Sequence, residues 1–293
     1  MDIVITYVDG KDPLWLEDYR RNVDEAVNEK RFRDWGTLKY LLRGIQAYMP
    51  FVENVFLVVA RDSQVPAWVD RSELKVVLHE DFVPSKFLPV FSCNPLEVYL
   101  HRINGLGDRF LYFNDDIFPL APCSEEDFFK DGKARIGFNR QFFRFGMYRK
   151  ICVNSWRMAR KSAGLGTSMT YLRPQHTCAP MIRPVCAELF EKVRKEADLT
   201  AARKVRSSED LNQYIYSDYQ LLTGNATDKR QSCKHFSLGT SSLDRICSFI
   251  DNPTMSLACI NDVNIPESLF MEMKESLVAS FERRFPTKSR FEI

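Results

Sequence analysis

RFLYFNDDIF, from Arg109 to Phe118, reads as a strand of aromatic and aliphatic residues that runs directly into two adjacent acids. A carboxylate pair behind an apolar run is poorly placed for a core and well placed for the C-terminal end of a sheet strand, where open α/β sheets build their sites. There Asp115 and Asp116 could hold Mg²⁺ or Mn²⁺, hard cations that bridge carboxylate oxygens to a substrate phosphate. Asn-Asp-Asp is equally turn-prone, so on spacing alone a tight turn stands even with a metal site.

Upstream, the same pattern recurs. DIVITYV (2–8) is a β-branched strand that stops at Asp9-Gly10-Lys11-Asp12-Pro13. Gly10 would let backbone N–H groups approach a ligand while Asp9 accepts from a ribose or base, although an ordinary β-turn is the plainer account. Trp15 to about Arg31 reads as a charged helix, with Asp34 as the N-cap of a second helix running to Tyr48 before Pro50. Arg31-Phe32-Arg33-Asp34 would suit a diphosphate at that helix start, or a solvated salt-bridged turn. Residues 54–60 and 74–82 read as strands, and Leu96, Tyr99, Leu100 and Ile103 have helical spacing. Strand and helix thus alternate up to Phe118, which predicts a mixed α/β layer architecture with a mainly parallel sheet.

Downstream of Asp131 the texture changes. Gly132 to Ala187 contains eleven Lys or Arg and no Asp or Glu, with Phe142, Phe143, Phe145, Tyr148 and Trp156 among them, while the rest of the chain is net acidic. Something anionic is expected to meet this face. Two accounts stay open: a peripheral contact with an anionic membrane, or the phosphate-facing wall of a site plus a solvated surface. Residues 188–222 and 266–285 read as helices joined by a loop-rich 223–265.

Composition sets outer limits. With 293 residues, 45% hydrophobic and 27% charged, the chain is neither disordered nor collagen-like. No apolar run approaches the ~20 residues of a membrane span, and MDIVITYV is a strand pattern rather than a signal peptide, so a cytoplasmic protein is expected. The eight cysteines include no C-x-x-C pair, which favours reduced, packed thiols over a zinc site. There is no G-x-G-x-x-G, G-x-x-x-x-G-K-[ST] or G-x-S-x-G, which removes dinucleotide oxidoreductases, P-loop NTPases and serine hydrolases. Nucleic acid is not expected, because the acidic remainder would repel its backbone.

Three further residues carry candidate chemistry. His176, in Arg173-Pro174-Gln175-His176, is favoured among the four histidines as a general base because it lies in the basic segment. Arg206, in Lys204-Val205-Arg206-Ser207-Ser208-Glu209-Asp210, could neutralise a transferring phosphoryl group. Cys259-Ile260-Asn261-Asp262 is another strand-to-acid junction, and Asp262 could supply a further metal ligand.

Taken in order, these pieces resemble the Stealth family of sugar-phosphate transferases, which comprises bacterial capsular polysaccharide phosphotransferases and the animal lysosomal-enzyme N-acetylglucosamine-1-phosphotransferase. Val8-Asp9-Gly10-Lys11-Asp12-Pro13 looks like the first block. Arg31 to Phe118 looks like the second, with Val65-Pro66-Ala67-Trp68, His79, Leu88-Pro89-Val90-Phe91-Ser92 and Asn114-Asp115-Asp116. His176 to the Arg206–Asp210 helix start, with Tyr214, Tyr216 and Tyr219, resembles the third; Cys259 to Asp262 with Phe285 to Glu292 resembles the fourth. Tyr7 and Asp9 depart from the family's usual Trp and Asn, which bears on contacts to the donor base or sugar. The large inserted modules of the animal enzyme are missing, so recognition of lysosomal enzymes is not expected.

The resemblance implies a GT-A-like nucleotide-sugar transferase: a mixed sheet flanked by helices, with a helical C-terminal part. Residues 1–131 would form the nucleotide-sugar-binding core, and 132–293 the part completing the active site. It further implies transfer of a hexose 1-phosphate from a UDP-sugar to a glycan or lipid-linked oligosaccharide acceptor, with release of UMP. His176, Arg206 and Asp116 would be catalytic. Asp9, Gly10, Asp12, Arg33, Asp34, Ser92 and Asn114 would bind the donor. Asp115, Asp116 and Asp262 would hold the metal. The alternative is a conventional metal-dependent glycosyltransferase that releases UDP, and a non-catalytic glycan-binding protein ranks third.

Overall fold

The computed structural model describes residues 1–27, 29–262 and 265–293. Strand β1 (Asp2–Thr6) sends alternate side chains to opposite faces, Ile3 and Ile5 into one hydrophobic core and Val4 into a second. Asp12 caps α1 (Pro13–Asn22), its Oδ1 accepting from the Trp15 amide at 2.7 Å. After the short α2 (Glu29–Phe32), α3 (Leu38–Tyr48) lays Leu38, Leu41, Leu42 and Ile45 on the first core, the stripe an amphipathic helix requires.

β2 (Asn54–Val59), β3 (Lys75–Leu78), α4 (Cys93–Glu97) and β4 (Arg109–Asn114) follow. β3, β2, β1 and β4 are mutually parallel neighbours. Val55, Leu57, Val59, Leu111 and Phe113 join Ile3 on one face; Phe56, Val58, Phe110 and Tyr112 join Val4 on the other. The sheet is buried on both sides, which is why its strands are nearly continuously apolar.

The chain then leaves this sheet. It passes through β5 (Ile117–Pro119), β6 (Phe129–Lys130), β7 (Lys133–Ile136), β8 (Phe138–Gln141), α5 (Met147–Ser162) and β9 (Tyr171–Pro174) before β10 (Ala179–Ile182) returns antiparallel beside β4. The five-stranded order is β10-β4-β1-β2-β3. α6 (Arg183–Ala201) and α7 (Tyr214–Leu222) cover the second core. β11 (Ala226–Asp228) pairs with β7, and β12 (Cys233–Ser237), α8 (Leu243–Asp251), β13 (Leu257–Asn261) and α9 (Glu267–Arg284) close over the first. Among the described residues no helix is long and apolar enough to cross a membrane.

The α/β architecture and the mainly parallel sheet agree with the sequence; several element bounds do not. The 109–118 strand breaks after Asn114, because β5 turns away to pair antiparallel with β13 in a separate sheet, β12-β13-β5. The first helix ends at Asn22 rather than Arg31: Val23 takes an extended conformation, and Val23 and Val27 reach the Trp15–Tyr19 cluster from outside the helix; residue 28 of that span lies outside the described residues. Asp34 does not cap α3. The helix starts after Thr37, and Asp34 Oδ1 instead accepts from the Gly36 amide at 2.9 Å. Strand 74–82 is shortened to β3 because Asp81 Oδ2 takes the Leu78 amide at 2.7 Å and turns His79–Asp81 into a 3₁₀ helix.

Downstream, the 188–222 helix is two, interrupted where buried Asp210 Oδ2 accepts from the Ser207 amide at 2.8 Å. The 223–265 stretch is not loop-rich: it carries β11, β12, α8 and β13, with 263 and 264 outside the described residues.

Candidate active site

The break between β4 and β5 is what makes the site. Asn114, Asp115 and Asp116 form the turn where the chain steps from one sheet to another, at the C-terminal edge shared by β1 and β4. Asp116 is pinned to β13 through its carbonyl, which accepts from the Ile260 amide at 2.8 Å, and through Oδ2, which accepts from Asn261 Nδ2 at 3.2 Å. The β9–β10 connection brings in His176, and the 202–213 segment brings in Arg206. Arg33, Asp34, Ser92, Asn114, Asp115, Asp116, His176, Arg206 and Asp262 all line one cavity of about 1160 Å³. That exceeds the ~300–1,000 Å³ of ordinary small-ligand pockets, leaving room for two reactants.

The electrostatics set the two acids apart. Burial, and next the Asp116 charge beside it, push the Asp115 carboxyl up to about 7. Burial alone would raise Asp116 too, but His176, Cys259 and Asn261 outweigh it and hold this carboxyl below the usual range. His176 Nε2 lies 3.6 Å from Asp116 Oδ2 and Nδ1 lies 3.5 Å from the Tyr214 hydroxyl. Burial pulls this imidazole down, the Asp116 carboxylate pulls it up, and the outcome is above the ordinary histidine value. Asp116 Oδ1 is buried and has no hydrogen-bond partner among the described residues. A crowded carboxylate pair with an orphaned oxygen is a donor set that fits a hard divalent cation.

Arg206 is placed by polar groups beneath it. Its Nη2 contacts Cys93 Sγ at 3.0 Å, and buried Glu97 lies close enough to act on its charge. Glu97 in turn accepts from the Gln213 amide at 2.9 Å and from the Tyr112 hydroxyl at 3.2 Å. Ser92 Oγ caps α4 through the Asn94 amide. Asp262 Oδ2 accepts from Trp35 Nε1 at 3.2 Å and pairs with Arg33 at 3.9 Å.

Three predicted donor residues lie off the cavity lining. Asp12 is the buried α1 cap, Asp9 Oδ1 accepts from the Lys11 amide at 2.9 Å, and the Gly10 amide donates to Phe32 O at 3.0 Å. Gly10 is required by close packing: a Cβ there would sit 2.4 Å from Phe32 O. Neighbouring Tyr7 and Val8 line the cavity instead. Arg33 lines it too, but its guanidinium already pairs with Glu267, donates to Ile265 O at 3.1 Å and lies 4.8 Å over Phe270.

Sequence reasoning missed Glu97, Arg173, Arg230, Lys234 and His235, all of which line the cavity. Arg173 could have been found by its place in the quoted Arg173–His176 run. Glu97 carries no such signal, because a buried acid in a five-residue helix looks like any surface helix acid.

Residues 31–136 match the family described as Stealth protein CR2, conserved region 2. The receptor polysaccharide phosphotransferase WefC of Streptococcus oralis is 30% identical, covering 100% of this chain and 99% of that protein. The capsular polysaccharide phosphotransferase WcwK of Streptococcus pneumoniae is 28% identical over 100% and 99%. The exopolysaccharide phosphotransferase cps2G of Lactiplantibacillus plantarum is 26% identical over 100% and 96%. Among solved structures, the galactosyltransferase LgtC in complex with donor and acceptor sugar analogues overlays with a TM-score of 0.43 at 12% identity, covering 94% of this chain and 96% of that one.

Proposed function

Because the chain belongs to the Stealth family, and its full-length relatives are polysaccharide phosphotransferases, we propose that it transfers a hexose 1-phosphate from a UDP-sugar to a hydroxyl of a glycan acceptor. N-acetylhexosamine 1-phosphate is a representative cargo. The acceptor oxygen attacks the phosphorus next to the sugar, the bond from that phosphorus to the bridging oxygen breaks, and UMP leaves. The product is a phosphodiester in a capsular or cell-surface polysaccharide.

One observation carries this reading: His176 Nε2 is 3.6 Å from Asp116 within a cavity that Arg206 also lines. In phosphoryl transfer the protein's task is positioning plus stabilisation of charge on the equatorial oxygens. His176 takes the acceptor proton at Nε2, and the Asp116 carboxylate stabilises the imidazolium that forms. Arg206, held by Cys93 and Glu97, faces the transferring phosphoryl group. Asn114, Ser92 and Asp34 position the donor at the strand ends, and the Asp9–Asp12 loop shapes that edge from behind. Asp115 and Asp116, with Asp262 as a third acid, would hold Mg²⁺ or Mn²⁺, which would supply positive charge to offset that on the phosphoryl oxygens. The acceptor is a growing or lipid-linked glycan, met at an anionic membrane surface by the basic segment.

The test is to incubate the protein with Mg²⁺, UDP-N-acetylglucosamine and related donors, and an acceptor extract, then identify the released nucleotide by mass spectrometry. UMP with an acceptor heavier by one sugar phosphate is expected. UDP would replace this chemistry with ordinary glycosyl transfer. His176→Ala is expected to abolish UMP release while donor binding persists; undiminished turnover in that variant would remove His176 as the base.

A further inference from the structure

One wall of the cavity holds a donor set of a different chemical kind. His176, His235 and Cys259 present ligand atoms, ring nitrogens and a thiol sulfur, that all lie within 4.8 Å of one another. Asp116 Oδ2 is 3.6 Å from both His176 Nε2 and Cys259 Sγ. In a tetrahedral site with bonds of about 2.0–2.3 Å, ligand atoms are spaced roughly 3.3–3.8 Å apart. Two edges therefore already have the required length, the edges among His176, His235 and Cys259 need to close by up to about 1 Å, and the His235 ring has to swing in to meet Asp116. His176 Nε2 is also buried and has no hydrogen-bond partner among the described residues.

The scaffold holds these groups together. His235 and Cys259 are register partners on the parallel strands β12 and β13, so their side chains leave the same face of that sheet. Cys259 is in turn the register partner of Ile117, the residue after Asp116, on β5. His235 is exposed, which leaves its ring free to swing toward the other three.

We propose that His176, His235, Cys259 and Asp116 form a binding site for a divalent transition metal of the zinc class, and that its occupation switches the enzyme off. Two imidazoles, one sulfur and one carboxylate select zinc, cobalt or copper over magnesium, which demands oxygen ligands in octahedral array. A metal on Nε2 consumes the lone pair that takes the acceptor proton, and it draws on Asp116 from the side opposite the orphaned Oδ1. The site stands independently of the phosphotransfer reading; only the inhibition rests on it.

Co²⁺ is the probe, titrated into the full chain and followed by absorption. A thiolate-to-cobalt charge-transfer band with intense tetrahedral d–d bands, displaced by Zn²⁺, is expected. Cys259→Ser should abolish the charge-transfer band. Should that buried substitution unfold the chain, His235→Ala at an exposed position should weaken Co²⁺ binding at least about 10-fold. Zn²⁺ should suppress UMP release and a chelator should restore it. A weak octahedral spectrum without a charge-transfer band, or a band undiminished in folded Cys259→Ser, overturns the site and leaves phosphotransfer standing. The expected spectrum with turnover indifferent to Zn²⁺ upholds the site and overturns the inhibition, and with it the role of His176.

Discussion

Asp12 and Asp116 are both acids just past an apolar strand, and the structure gives them opposite employment. Asp12 is 6% exposed and spends its carboxylate on the first turn of α1, whereas Asp116 keeps one buried oxygen that no described residue hydrogen-bonds. An N-cap of this kind contributes ~1 kcal/mol. Asp12→Ala is therefore expected to lower the urea midpoint by that equivalent while leaving the donor KM unchanged. A raised KM with unchanged stability would return Asp12 to the donor site. The sequence could not separate the two, because an acid in a Gly-Pro loop looks the same whether it faces an amide or a phosphate. His176 was legible for a different reason: it is one of four histidines, and it alone lies among arginines with no acid nearby in the chain.

At the scale of elements, legibility followed burial. β1, β2 and β4 are buried on both faces and therefore apolar at nearly every position, so the parallel core could be read directly. β5, β11, β12 and β13 are only three to five residues long, and what defines them is pairing with distant chain, as Cys259 does with Ile117 and His235. No local pattern encodes such a partner. The C-terminal tail is held in the same non-local way. Glu292 grips Arg43 of α3 through two bonds of 2.8 Å, while Arg43 Nη1 donates to Phe285 O at 2.6 Å. Burial alone would raise the Glu292 carboxyl, but Arg43 and Ser289 hold it below its ordinary value. With a folded value below the ~4.3 of the unfolded chain, the carboxylate's contribution is fully present above that pH and is lost as pH falls through the folded value. Glu292→Gln should cost about 3 kcal/mol at neutral pH, the low end for breaking a buried pair, because Glu282 still faces Arg43. Urea midpoints taken from pH 7 downward should draw together for the two proteins as pH falls through the lowered folded value of Glu292; parallel curves would show that the pair contributes nothing to acid sensitivity.

Across the whole molecule, the basic segment gains a shape that its composition alone did not give. Phe142, Phe143 and Phe145 are 65%, 67% and 80% exposed, and Met169 on the neighbouring loop is 86% exposed. The two loops are tied by Arg144, whose Nη2 donates to Met169 O at 2.6 Å and Ser168 O at 3.2 Å. Apolar tips rimmed by arginine and lysine suit an anionic bilayer, where rings enter the headgroup boundary and cations stay among the phosphates. The patch adjoins the candidate site: Tyr148, at the start of α5, lines the cavity and bonds the Tyr214 hydroxyl at 2.8 Å, which lies 3.5 Å from His176. A protein seated on these loops would hold its cavity against the membrane surface. Withdrawing one Phe from water is worth on the order of 2 kcal/mol when complete, so three partly inserted rings should account for more than a tenfold change in partitioning. The wild-type chain is expected to co-sediment with phosphatidylglycerol vesicles in a salt-sensitive manner. Replacing all three phenylalanines by Ser should release it while UMP release with a short water-soluble acceptor is retained. Co-sedimentation indifferent to anionic lipid, or unchanged in the triple variant, would assign the arginines to the phosphate-facing wall of the site and leave the exposed rings without a membrane role.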